Sequence, residues 1–249
     1  MNEISKNMRW LKLDAMADEY DTLSQTNKYS HMTAEEAIRK LIDIQVDAKK
    51  NKMAANKLSA AKLEYSTANL NNIDYAPARK INRQLIQLLG TNEYITQHHD
   101  VIVLGAAGCG KSYIASAIGR RACDDGYSVR YITMDELILM IEEAEINKTV
   151  QKTFKKICNY DLLIIDEFLT ESLTDHEISH LSKILDRRAY KKATIYVTQK
   201  PITGWHKALG GEYRAEKMID RIKNNAYRLV LKGESQRKLR STIQQPEGD

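Results

Sequence analysis

Over residues 1–78 the apolar positions recur at helical spacing, with no strand-like alternation. Trp10, Leu13, Ala17 and Tyr20 fall at i, i+3, i+7 and i+10, which predicts one face of a helix. Thr33-Ala34-Glu35-Glu36 has the form of a capping box, and Ala37, Leu41, Ile44 and Ala48 then carry an apolar stripe. Helices this short do not bury such stripes alone; they need each other, the rest of the chain, or a second copy. Pro77 disfavours helical geometry at Ala76, so a boundary is expected in the polar stretch before it. A further helix over about 78–89 is expected to stop at Gly90.

From Asp100 the pattern changes to short apolar runs alternating with amphipathic segments. Strands are predicted at 101–104, 129–133, 162–165, 193–198 and 227–231, and helices at 111–123, 134–145, 149–158, 174–189 and 214–225. Two further capping boxes, Thr133-Met134-Asp135-Glu136 and Thr174-Asp175-His176-Glu177, open the second and fourth of these helices. Strands alternating with helices imply an α/β domain with a five-stranded parallel sheet, behind a small all-helical N-terminal domain. The expected divisions are 1–70 for helical assembly or interaction, 71–243 for the α/β domain, and a disordered tail at 244–249.

Composition changes this picture little. The chain has 249 residues, 43% of them hydrophobic, enough for one well-filled core and an accessory unit. Its net charge of +5 permits nucleic-acid contact without demonstrating it. Three cysteines, Cys109, Cys123 and Cys158, lack zinc-knuckle spacing and read as reduced thiols. The N-terminal residues lack the apolar run of a signal peptide, and no run of 18 apolar residues exists, so a cytoplasmic location is expected.

Candidate chemistry changes it a great deal. Gly105-Ala106-Ala107-Gly108-Cys109-Gly110-Lys111-Ser112 fits G-x-x-x-x-G-K-[ST] in full, between an apolar run and a helix. Glycines let successive backbone N–H groups turn toward phosphates, and the helix start adds a positive dipole end. Lys111 is placed for the β and γ phosphates and Ser112 for Mg²⁺; Tyr113 follows in the candidate ATP site. Leu162-Leu163-Ile164-Ile165-Asp166-Glu167 ends a buried strand in two acids. Asp166 is the candidate Mg²⁺ ligand, and Glu167 the residue that orients and polarises an attacking water. Gln199, after the fourth strand, is the candidate γ-phosphate sensor. An Asp-Glu pair beside a P-loop points to an ATPase. A small-molecule kinase would not need the glutamate, and a switch without hydrolysis would not use it.

These elements in this order resemble an AAA+ ATPase. YDLLIIDEF (160–168), VTQKPITGW (197–205) and MIDRIKNNAYRLVLKGESQRK (218–238) closely resemble the IstB family of insertion-sequence transposition helpers, related to DnaC-type helicase loaders. WLKLDAMA (10–17) and the 39–61 helix region also have counterparts there. The resemblance implies ATP-dependent self-assembly into oligomers on duplex DNA, bending of that DNA, and engagement of a transposase. It implies hydrolysis between subunits completed by an arginine from the neighbour, which Arg221 matches. Two departures stand out. Thr198-Gln199 replaces the frequent Ser-Asn or Ser-Gln, and Phe168-Leu169-Thr170-Glu171 replaces a Gly-containing turn after the acid pair.

Basic clusters offer DNA contacts: Lys148, Lys152, Lys155 and Lys156; Arg187, Arg188, Lys191 and Lys192; and Lys232, Arg237, Lys238 and Arg240. An acid-free lysine face over 49–62 is a further candidate. Few aromatics interleave with them, which favours phosphate tracking over base stacking. The competing reading is a DnaC-like helicase loader that holds single strands and docks its helicase through the N-terminal helices.

Overall fold

The structure is a computed structural model that describes residues 2–26, 31–211 and 213–233. Arg237, Lys238, Arg240 and the tail at 244–249 lie outside these residues. The chain forms two compact units, residues 1–56 and 57–249.

The first unit holds α1 (Glu3–Trp10), α2 (Asp14–Gln25) and most of α3 (Ala34–Ala61). The stripe expected from Trp10 to Tyr20 is broken. Lys12 takes a positive φ of 61° between α1 and α2, so the helical count does not run through. Trp10 ends α1 at 83% exposure, while Ala17 and Leu23 on α2 are buried. Arg9 joins α1 to α2 through Asp18 and Asp21, at 2.5 and 3.2 Å, and Lys40 on α3 reaches Glu19 at 2.6 Å. The Thr33 capping box forms: the Glu36 N–H donates to Thr33 Oγ1, and the Thr33 N–H to the Glu36 carboxylate.

The second unit is built on β1 (Asp100–Gly105), β2 (Val129–Thr133), β3 (Leu162–Asp166), β4 (Ala193–Thr198) and β5 (Ala226–Leu231). All pairs are parallel, in the order β2-β3-β4-β1-β5. Strand alternation sorts the side chains into two cores. Val101, Val103, Ile164, Ile195 and Val197 face one, shared with α4 (Arg83–Gly90), α5 (Glu93–Thr96) and α6 (Lys111–Asp124). Ile102, Leu163, Ile165 and Tyr196 face the other. That second core is covered by α7 (Met134–Ile146), α8 (Val150–Asn159), α9 (Asp175–Arg188), α10 (Ile202–Ala208) and α11 (Tyr213–Asn224). The central strands are buried on both faces, which explains why the Leu162–Asp166 run is apolar without alternation.

This unit begins earlier than residue 71. Ala61, Leu63 and Ile73 lie in the first core, and α4 starts at Arg83 rather than 78. Asn82 caps α4 by accepting the Leu85 N–H at 3.0 Å, while Pro77–Arg79 forms a separate 3₁₀ turn. Both later capping boxes form, at Thr133 and Thr174.

Arg188 is not a DNA contact. It is 1% exposed and donates to the carbonyls of Ile157, Tyr160 and Ala193 and to Thr194 Oγ1. It ties the end of α8 to β4, beside Asp100, whose buried carboxyl accepts the Thr194 N–H at 2.8 Å and is pushed up to about 7 by desolvation. A guanidinium whose donors are all turned inward cannot reach a phosphate. Removing it leaves buried carbonyls without donors, so Arg188→Ala is expected to cost about 3–5 kcal/mol in urea unfolding. The neighbouring Arg187→Ala should cost less than about 1 kcal/mol; equal costs would contradict the assignment.

Candidate nucleotide-binding site

The loop between β1 and α6 is shaped by close approach. A Cβ on Gly105 would lie 2.7 Å from the Leu231 carbonyl and 2.6 Å from Cys109 Sγ. Gly110, at φ 93°, is the left-handed residue from which α6 starts. Cys109 is buried under the loop, and Ala106 and Ala107 are exposed on it. The Lys111 ammonium folds back to donate to the Ala106 carbonyl at 2.9 Å. The loop borders a cavity of about 210 Å³ whose other walls include Asp166, Glu167, Thr198 and Gln199. Ser112 and Tyr113 line it from the first turn of α6.

Asp166 ends β3 and is buried. One of its oxygens accepts the Tyr131 hydroxyl from β2, and the other accepts the Glu167 N–H at 2.7 Å. Burial, then the Asp166 charge, pushes the Tyr131 phenol well above its ordinary range, so it stays a donor to the carboxylate. Glu167 is exposed to the cavity, at a positive φ of 55°, and Leu169 repeats that conformation at 54°. Such left-handed residues cost of order 1 kcal/mol or more each and need an anchor. Phe168 supplies it. Its N–H donates to the Val197 carbonyl at 2.8 Å, and its ring lies 4.7 Å from Tyr196 and 5.1 Å from Trp205. The aromatic plug therefore does the work expected of a Gly-containing turn. Gln199 is exposed just past β4, and the Thr198 hydroxyl accepts the Lys200 N–H at 3.2 Å.

The residues fit a magnesium nucleotide. The glycine cradle would be filled by a Cβ, and a hydroxyl, a buried carboxylate and a lysine line one cavity. Comparison with known proteins decides the lineage. The family model described as IstB-like ATP binding protein matches residues 6–244. This chain belongs to the IstB-like family. It is 30% identical to the insertion-sequence ATP-binding protein y4uH of Sinorhizobium fredii, over 94% of each chain. It is 23% identical to the IS21 ATP-binding protein of Pseudomonas aeruginosa, over 95% of this chain and 89% of that one. Among solved structures, the DnaC helicase loader matches 68% of this chain and 98% of its own, at a TM-score of 0.57 and 22% identity. DnaI matches 66% and 91%, at 0.55 and 16%. These likenesses establish the AAA+ P-loop ATPase fold for the IstB-family chain.

Sequence reasoning missed one wall of the site. Tyr65, Asn72, Asp74 and Arg79, all preceding β1, line the cavity. Arg79 is buried and donates to the Asp74 carbonyl at 2.7 Å and to the Cys109 carbonyl at 2.9 Å, so it braces the P-loop from outside. The capped start of α4 isolates the 3₁₀ turn that aims it, and nothing in the residue pattern signals that contact. Arg221 does not line the cavity of its own chain; it pairs with Asp186 on α9.

The structure also joins two basic clusters. Lys148, Lys152, Lys155 and Lys156 are exposed on and before α8. Arg187 lies beside them, over the Phe154 ring at 5.4 Å and 3.3 Å from Gln151. Lys191 is exposed nearby in sequence, whereas Lys192 is paired with Asp161 at 2.6 Å. Although partial burial opposes it, the Lys192 and Ser128 hydrogen bonds hold the Asp161 carboxyl at about 2.

Arg79→Ala removes a brace of the P-loop without touching Lys111 or Ser112. ATP affinity measured by titration calorimetry is expected to fall by about 10-fold or more, since hydrogen bonds to charged groups contribute roughly 1.5–3 kcal/mol each. Unchanged affinity would remove Arg79 from the site.

Proposed function

We propose that this IstB-family protein hydrolyses ATP at subunit interfaces, assembles on duplex DNA in the ATP state, and assists a transposase. The observation that carries the hydrolytic part is the meeting of Lys111, Asp166, Glu167 and Gln199 around one cavity. Loop N–H groups and Lys111 would bind the β and γ phosphates, and Ser112 and Asp166 would hold Mg²⁺. The ion, when bound, neutralises charge on the phosphates. Tyr131 keeps Asp166 pointed toward it. Glu167 orients the attacking water and accepts its proton, while Gln199 donates toward the γ-phosphate. Arg221 serves the neighbouring subunit's site, where a cation stabilises charge developing on the γ-phosphate. Its pairing with Asp186 means that engagement exchanges one carboxylate for a phosphate.

The DNA part rests on the joined basic surface of α8 and the end of α9. Lys148, Lys152, Lys155, Lys156, Arg187 and Lys191 supply charge there, and the exposed Tyr190 beside Lys191 interleaves with them, so the preference for phosphate tracking rests on the excess of basic over aromatic side chains. Repeated along an assembly, modest phosphate contacts add up. The relatives are insertion-sequence ATP-binding proteins, and that association supports the transposase as the partner.

Glu167→Gln is expected to lower ATP turnover by about 10²-fold or more while ATP still binds; unchanged turnover would remove Glu167 from catalysis. Arg221→Ala should reduce turnover only where subunits meet, and normal hydrolysis in assembled protein would refute the finger. Lys152→Glu with Lys155→Glu should weaken duplex binding and flatten its dependence on log salt by about 0.9 for each phosphate no longer neutralised. An unchanged slope would place DNA elsewhere.

A further inference from the structure

Outside the nucleotide site, one cluster of side chains among the described residues converges without a role in the chemistry above. Glu145, in the last turn of α7, faces His176 and His180, one turn apart on α9. Glu145 Oε1 lies 3.2 Å from His176 Nε2 and 2.9 Å from His180 Nε2. The two Nε2 atoms are 3.2 Å from each other. Three lone-pair atoms thus form a nearly equilateral triangle. Ligand atoms around a tetrahedral zinc ion, at 2.0–2.2 Å from it, lie about 3.3–3.6 Å apart. The triangle is therefore close to three corners of such a site.

The surroundings support that geometry. Phe154 from α8 packs edge-on against the His180 ring at 5.7 Å between centroids, and His176 meets the same ring edge-on at 4.5 Å. His180 is buried, while His176 is exposed, so the fourth corner opens to solvent. Both histidines also line a narrow apolar niche with Leu137, Ile141 and Leu181, which lowers the dielectric on the inner side. Two imidazoles and a carboxylate suit zinc or a neighbouring transition metal rather than magnesium. In the tautomers that carry the ring proton on Nδ1, the two Nε2 atoms and the Glu145 oxygen are three acceptors turned toward one point.

We propose that Glu145, His176 and His180 bind one transition-metal dication of the zinc class. The ion bridges α7 to α9, the helices that follow β2 and β3, and so braces the two strands that carry Tyr131 and Asp166. His180 Nδ1 has no hydrogen-bond partner among the described residues, so the outer support usual at structural zinc sites is missing on that ring. The site is accordingly weaker than a zinc finger and exchanges its ion.

The test uses the full-length, tag-free protein with reduced cysteines, titrated with Zn²⁺ against a chromophoric chelator and separately with Co²⁺. The expected result is one equivalent bound, visible Co²⁺ bands of tetrahedral intensity without thiolate charge transfer, and a higher unfolding temperature with Zn²⁺. His176→Ala and Glu145→Gln change exposed or half-exposed side chains, so both should fold, as circular dichroism would verify. Each is expected to weaken binding by about 10-fold or more, while Cys158→Ser has no effect. Binding that survives both variants, that depends on Cys158, or that is absent in the unaltered protein overturns the site.

Discussion

The placement of β4 between β1 and β3 is the constraint on which the site depends. It separates the end of the P-loop strand from the end of the Asp166 strand by two strand spacings, about 9.5 Å. Lys111, Glu167 and Gln199, which follow these three strands, line one cavity there. Because the strands are parallel, all three tips emerge at the same edge. The two-layered core then fixes the distance, since each strand sends alternate side chains into a packed layer on either face.

The acid loop shows how the core reaches into the chemistry. Glu167 and Leu169 adopt left-handed backbone, and Phe168 between them is locked among Tyr196 and Trp205 and bonded to Val197 of β4. The catalytic candidate is therefore oriented by a buried aromatic contact on the strand that also carries Gln199. Arg79 does the same from the other side by holding the Cys109 carbonyl of the P-loop. Tyr131 adds a third hold, on Asp166. Buried groups on separate elements thus converge on an otherwise exposed, glycine-rich site.

Much of this was legible in the residues. The P-loop and the acid pair were clear because phosphate chemistry demands particular residue types at fixed spacing. The five strands were clear because buried parallel strands read as apolar runs. Arg188 was misread as a surface charge, since periodicity does not distinguish an exposed arginine from one that caps several buried carbonyls. Arg79 and the short helix α10 carry no pattern of their own. Trp10 was misplaced because a single left-handed residue, Lys12, resets the helical count. Glu145 and the two histidines are joined only by the packing of α7 on α9, and the capping box at Thr174 accounts for the same stretch of chain without hinting at it.

The central claim, that nucleotide state governs assembly on duplex DNA, is tested most directly by sedimentation velocity. The full-length protein would be run with duplex or single-stranded DNA, each in ATP and in ADP. The account predicts large complexes with duplex and ATP only. A preference for single strands, or no DNA-dependent assembly in any state, would contradict it and favour a helicase-loading role.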